Sequence, residues 1–537
     1  MFTMIFMKKK FCLLFATIIL FITCLCFLLK SVSETNLHKK INIEMHFDNL
    51  VSNFEKIRKL NNENVDVADK VIPVVKANAY NFGVYDITKT FLSMKEPQTK
   101  FFVFSLEEGI ELRKFFPSIE RIFVIMGALE NDAELFKKYN LTPVVNSFYQ
   151  LEVCKKHNIK NIVLQFNTGM NRNGFEVKEL RKVKQICDSE KFNVLMVMSH
   201  FACSDNMASE VNAYQINEYK KVARVFNDKK IIKSFPATFG ILNFNTINGL
   251  VNSFRPGRLY YGFLPKEGYD KNLFSVYVYL SKDKEGNIIL PFGKEDGIDY
   301  GEQAYILVDK NKAYVKQVDS HKVILDTNDK TLVGKKVYLI KNGMGYDEFK
   351  EQSKQDLLTF FGKIFKNCDK NKNLCNINAT RKRAKKDNKF VPKAIFKKDA
   401  KGQYTQYTTT LFEKREVSAD GIVGYDATRA VKKGDKLGVI FNGHMDGFYQ
   451  PMSNKHVFVY VKNKYKQLIP CEFYGLISSD QAVIKIPNDE FDNIEYGAKV
   501  VVFDKNHPIT LFEQATGVSR DELFYGLDKT YRIAEQK

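Results

Sequence analysis

Hydrophobic and polar positions divide the chain into three textures. The first is Phe11 to Leu29, nineteen residues without a charge and with only Thr17 and Thr23 as polar breaks. A helix of that length spans about 28 Å, close to a bilayer's hydrocarbon core. Lys8, Lys9 and Lys10 precede it, which places the N-terminus in the cytoplasm and the body on the extracytoplasmic, periplasmic side. Residues 1–39 therefore read as a signal anchor. A cleaved signal with a weak site at Ser31-Val32-Ser33 is the alternative, and a buried N-terminal helix is the bland one.

The second texture runs over residues 40–270. Short apolar runs, INIEM (41–45), VIPVV (71–75), KFFVFSL (100–106), RIFVIMG (121–127), TPVVN (142–146), NIVLQF (161–166) and NVLMVMSHF (193–201), read as buried strands. Between them, 47–60, 131–139 and 212–226 have helical periodicity. Alternation on this scale predicts a (β/α)8 TIM barrel, with a doubly wound open sheet as the alternative. The absence of a glycine-rich dinucleotide fingerprint weakens that alternative.

From about residue 270 the pattern becomes all-β. It also repeats. PFGKEDG (291–297) echoes FNGHMDG (441–447), HKVILDTND (321–329) echoes QAVIKIPND (481–489), and GKKVYLIKN (334–342) echoes GAKVVVFDKN (497–506). We read a duplicated β domain: a first, degenerate copy over 271–370 and a fuller copy over 406–537. Residues 371–405 between them are rich in Lys and Asn and read as a solvated basic linker.

The net charge of +20 would suggest nucleic acid. Its distribution does not. The leader carries +4 and residues 380–401 carry +8, leaving +8 on the rest. Nine cysteines form no metal-ligand pattern. Cys154, Cys187, Cys203 and Cys471 are scattered; Cys368 and Cys375 flank a polar loop as a disulfide or as two free thiols.

The sharpest chemical signal is VIPVVKANAYNFG (71–83). An apolar strand delivers Lys76 at its C-terminal end, the usual mouth of a barrel's active site. A lysine shielded by apolar neighbours holds its proton less tightly, which suits Schiff-base chemistry.

With its companion motifs, this segment resembles the alanine racemase family, pyridoxal 5'-phosphate enzymes with an N-terminal barrel and a C-terminal β domain. The resemblance covers about residues 40–265 and 406–537. It implies that Lys76 binds the cofactor and serves as one base, and that Tyr80 contacts the phosphate. FNTGMNRNGF (166–175) makes Arg172 the arginine beside the cofactor's phenolic oxygen and a substrate contact. SHFACSDN (199–206) places His200 against the ring, and FPATFGILN (235–243) offers Thr238 to the phosphate. FRPGRLYYG (254–262) brings Arg255 to the ring nitrogen, and TYRI (530–533) makes Tyr531 a phosphate ligand. An arginine there keeps the nitrogen unprotonated, because arginine does not give up its proton. The electron sink is then shallower, which favours return of a proton to the α-carbon. The resemblance also implies a small amino-acid substrate and a homodimer.

The sequence departs from the family where the second base is expected. The family uses a Tyr in a GY-x-DG segment of the partner's β domain; here GHMDG (443–447) puts His444 there, and the first copy has Lys294. His444 is the candidate second base, since an unperturbed imidazole titrates near pH 6.5. In the substrate-carboxylate segment, SSDQ (478–481) offers Ser479 and Asp480. Gln165, Asn167 and Phe82 replace the family's usual Lys, Asp and His. The expected activity is amino-acid racemisation, most naturally of alanine for cell-wall peptide. The rivals are a catalytically impaired, cofactor-binding envelope protein and a pyridoxal-phosphate decarboxylase of related fold.

Overall fold

The computed structural model describes residues 41–60, 65–244, 247, 249–262, 273–294, 298, 300–340, 346–354, 375–377, 393–448, 452–517 and 533–535. The leader, Cys368 and Tyr531 lie outside them. Among the described residues no helix is long and apolar enough to cross a membrane. The chain forms two compact units, residues 50–261 with 380–537, and residues 1–49 with 262–379.

In the larger unit, strands Lys100–Val103, Arg121–Val124, Thr142–Val145, Asn161–Asn167, Asn193–Met198 and Ile232–Ser234 pair in parallel. Parallel bridges Val74–Phe102, Ser234–Ser253 and Val71–Phe254 close the ring through residues 71–75 and 251–255. The open-sheet alternative is thereby excluded. Ile72, Val74, Phe102, Phe123, Val144, Val163, Met196 and Met198 fill the barrel interior. The helices outside cover the other face, which is why these strands are apolar on both sides. Helices Phe47–Leu60, Ala133–Lys138 and Glu210–Val225 fall where periodicity predicts them.

The run at 41–45 is a strand, but not of the barrel. Ile41–Met45 pairs antiparallel with Phe274–Tyr279, the opening strand of the first β copy. An apolar run shows that a strand is buried; it does not show which sheet buries it.

The two β copies share the order of eight strands; the first has a ninth, Ser281–Lys282, paired antiparallel with Ile288–Leu290 at its edge. In the first, the order is Ile288–Leu290, Val323–Leu325, Asn311–Val318, Tyr305–Val308, Lys336–Ile340, Phe274–Tyr279, Ile41–Met45 and Cys375–Ile377. In the second it is Lys436–Phe441, Gln481–Ile486, Leu468–Phe473, Phe458–Lys462, Lys499–Phe503, Tyr404–Glu416, Ala394–Lys398 and Ile533–Glu535. In both, the last pair is parallel and every other neighbour is antiparallel. In the second copy Tyr404–Glu416 also pairs with Lys436–Phe441, closing the sheet on itself.

This match corrects two readings. Residues 394–398 are not linker: Ala394 and Phe396 are buried and the strand pairs with Tyr404–Glu416. The Lys-rich surroundings masked a short alternation. The repeat register also moves by one residue. Leu290 pairs with Val323 as Ile440 pairs with Ala482, so His321 corresponds to Asp480 and Lys322 to Gln481. The turns agree: Asp319 N donates to Lys322 O (2.8 Å) as Ser478 N donates to Gln481 O (3.1 Å). Gly293 and Gly443 are required at the same place. A Cβ would lie 2.1 Å from Asp319 O in one copy and 2.0 Å from Ser478 O in the other.

Candidate active site

The strand at 71–75 ends on Lys76. The next five residues, Ala77 to Asn81, all have positive φ, between 51° and 70°. A left-handed turn of non-glycine residues costs about 1 kcal/mol or more per residue, so the surroundings must impose it. Glu108 does so. Its carboxylate accepts hydrogen bonds from Ala77 N (2.6 Å), Phe104 N (2.6 Å) and Ser105 N (3.1 Å). Asn78 Oδ1 accepts from Val84 N at 2.9 Å, securing the exit of the turn. Glu108 and this turn were not read from the sequence. The signal available was Ser105-x-x-Glu108, a capping box at the start of the following helix.

The Lys76 ammonium meets the second β copy. Nζ donates to Ser479 Oγ at 3.1 Å and forms an ion pair with Asp480. Lys76 is not the weakly protonated amine that apolar shielding suggests. Burial acts in that direction, but Asp480, with Tyr80 and Tyr425, outweighs it and raises the pKa above the usual lysine value. The first copy could not form this pair, since it carries Lys294, Ser320 and His321 at the positions of His444, Ser479 and Asp480.

Arg255 is buried, 4% exposed, and donates from Nη2 to Ser199 O at 2.6 Å. Burial pushes its pKa down to about 10, so it is still a cation at neutral pH. His200 Nε2 lies 2.7 Å from the Tyr425 hydroxyl. Burial, then Arg172, Arg255 and Lys76, holds the imidazole neutral, its pKa well below the ordinary value. The Arg172 guanidinium sits 5.1 Å from the centre of the Tyr425 ring. Asn167 shapes the loop that carries Arg172, accepting from Gly169 N (3.2 Å) and Asn171 N (2.9 Å). Gln165 Oε1 is buried without a partner. Phe82 stacks on Tyr261, ring centres 4.5 Å apart.

Tyr80, Thr238 and Gly257 come together. The Tyr80 hydroxyl lies where a Cβ on Gly257 would be 2.2 Å away, and Thr238 Oγ1 accepts from Arg258 N at 3.2 Å. His444 is also within the site. It keeps a solvent-exposed surface; enclosure by the site, with Arg258 and Lys76, lowers its pKa and Asp480 opposes this. The structure thus brings together Lys76, Tyr80, Arg172, His200, Thr238, Arg255, His444, Ser479 and Asp480. Tyr425, also present, was not anticipated as a site residue.

A model of the N-terminal domain of alanine racemase matches residues 45–265, and one of its C-terminal domain matches residues 404–534. An alanine racemase of Fusobacterium nucleatum is 31% identical over 303 residues, spanning 51% of this chain and 82% of the relative. The chain belongs to the alanine racemase family. A Rickettsia bellii alanine racemase is 29% identical over 315 residues, 51% of this chain and 74% of that one. The solved alanine racemase of Acinetobacter baumannii shares the fold, with a TM-score of 0.52 and 22% identity over 60% of this chain and 97% of its own. That of Oenococcus oeni gives 0.51 and 22% over 61% and 97%. The first β copy falls between the two matched stretches, so the racemase C-terminal domain aligned by sequence is the second copy, the one that meets Lys76.

The family's cofactor fits the residues present. Arg172 Nε and Arg255 Nη1 are buried donors without hydrogen-bond partners. Unsatisfied buried donors are costly, and an anionic, planar ligand with acceptor atoms satisfies them. Tyr80 and Thr238 beside Gly257 offer hydroxyls to a phosphate.

Proposed function

We propose that this chain is a pyridoxal-phosphate-dependent amino-acid racemase that interconverts L- and D-alanine. The observation that carries this reading is the meeting of Lys76, at the mouth of the barrel, with Ser479 and Asp480, inside a ring of Arg172, His200, Arg255 and Tyr425. The relatives named alanine racemase support the substrate.

Lys76 would hold the cofactor through its amine; Tyr80, Arg172, His200, Thr238 and Arg255 would hold it by hydrogen bonds and charge. When bound, the cofactor supplies an electron sink at the substrate α-carbon. The remaining work belongs to the chain. Asp480 holds the Lys76 ammonium until the amine is needed. The amine then exchanges the α-proton. Arg255, a cation at neutral pH, would keep that sink shallow. This opposes the decarboxylase reading. Ser479 and Arg172 would orient the substrate carboxylate. With the leader read as an anchor, the enzyme would work at the envelope and supply D-alanine for cell-wall peptide.

The test is chiral analysis of alanine after incubation of L-alanine with the cofactor-loaded full chain. D-alanine should accumulate, and Lys76→Ala should abolish it together with the visible absorbance of bound cofactor. No conversion of alanine or any other small amino acid would overturn the racemase reading. The catalytically impaired alternative rests on His444, which stands where the family has its Tyr.

A further inference from the structure

Racemisation requires a proton to leave one face of the α-carbon and another to arrive on the opposite face, so Lys76 needs a counterpart. We propose that Tyr425, and not His444, is that second proton-transferring side chain. This rests on the racemase reading.

Three hydrogen bonds fasten the Tyr425 segment across two barrel loops. Gly424 N donates to Met170 O (2.9 Å), Asn171 Nδ2 donates to Ile422 O (2.8 Å), and Asp426 N donates to Ala202 O (3.3 Å). Ile422 and Tyr425 pack on Met170, Ala202 and Cys203. Directly after Tyr425, Asp426 and Ala427 adopt left-handed backbone, with φ of 60° and 51°. Such strain persists only where the surroundings over-determine it. The phenol is thus a fixed part of the site.

Its surroundings suit proton transfer. The hydroxyl is 2.7 Å from His200 Nε2 and the ring lies under Arg172. The charged and titratable groups that face it are Lys76, Tyr80, Arg172, His200 and Arg258. Burial alone would make the phenol less acidic, but Arg172 and Lys76 reverse this and its pKa falls below the ordinary tyrosine value. By contrast, the barrel's own buried Tyr219, Tyr260 and Tyr261 are all driven upward. Neutral His200 shares one proton with Tyr425. It accepts from the phenol, or its Nε2–H steadies the phenolate.

The step balances. The Lys76 amine takes the α-proton and becomes an ammonium. The Tyr425 O–H bond breaks, its proton forms the new C–H bond on the opposite face, and a phenolate remains. Return of a proton from the ammonium to the phenolate resets the pair, and the reverse reaction exchanges the roles.

The test uses the cofactor-loaded full chain in deuterated water, starting separately from L- and D-alanine. Wild type should form the opposite enantiomer with solvent deuterium at the α-carbon. Tyr425→Phe should lose about 10²-fold or more of the racemisation rate. It should keep α-deuterium exchange, without inversion, in the one enantiomer whose proton faces Lys76. Replacement of Tyr425 by 3-fluorotyrosine, which folds with the same shape and a more acidic phenol, should shift the corresponding limb of the pH–rate profile to lower pH. Racemisation retained within a few-fold in Tyr425→Phe overturns the proposal and leaves the racemase reading intact. So does an unshifted profile with 3-fluorotyrosine. Absence of both exchange and racemisation in wild type overturns the proposal together with that reading.

Discussion

Lys76 and Asp480 form a buried ion pair between residues 404 positions apart, one at a barrel strand's end and the other in the second β copy. The amine must be neutral to bind the cofactor, and Asp480 favours the ammonium. Lys76 has its pKa raised in the folded protein, so the pair stabilises the cofactor-free fold below the unfolded lysine value of about 10.4, and this stabilisation is lost as pH rises through the folded one.

Asp480→Asn should therefore shift cofactor capture to lower pH. At pH 7 to 8 the visible absorbance of bound cofactor should develop faster in the variant than in wild type, while the cofactor-free variant should be less stable to denaturant. Stopped-flow absorbance across pH checks the first, and urea unfolding the second. Slower capture at every pH would show that Asp480 is not what holds Lys76 protonated.

Glu108 should control the shape of the Lys76 turn without touching substrate. Glu108→Ala leaves three buried N–H groups without their acceptor, at a cost of about 2 kcal/mol or more. Urea unfolding should show that loss, and cofactor affinity should fall in parallel. Unchanged stability would mean the turn at 77–81 holds itself.

Glu413 gives a pH signature of the second β copy. It is buried, and burial raises its pKa to about 7 against the pull of Arg415. An acid raised in the folded state binds its proton more tightly there than in the unfolded chain. Stability therefore falls as pH rises from the unfolded value of about 4.3 through 7, by about 3 kcal/mol at most. Glu413→Gln should remove this slope and be more stable than wild type above pH 7. Unfolding midpoints between pH 5 and 8.5 check it.

Much of this was legible in the sequence. Barrel strands such as 121–124 and 161–167 are buried on both faces, so their apolar runs stand out. The site lysine, both arginines and His200 lie in compact motifs. What was hidden depends on partners distant in the chain. Ile41–Met45 carries no mark of the sheet it joins. The charge of Lys76 could not be judged without Asp480. Tyr425 carries no local mark of a role, because that role depends on Met170, Ala202 and His200. The repeat was legible while its register was not, because His321 and Asp480 occupy one backbone position with unrelated side chains.

The most distinctive feature of the site is that the barrel's Lys76 meets the second β copy of its own chain. The most direct test is to co-express Lys76→Ala and Tyr425→Phe chains and measure D-alanine formation from L-alanine. If each chain completes its own barrel, every site in the mixture has one defect, and the rate should not rise above that of the separate variants. Restored racemisation, from intact sites built with the Lys76 of one chain and the Tyr425 of another, would contradict it.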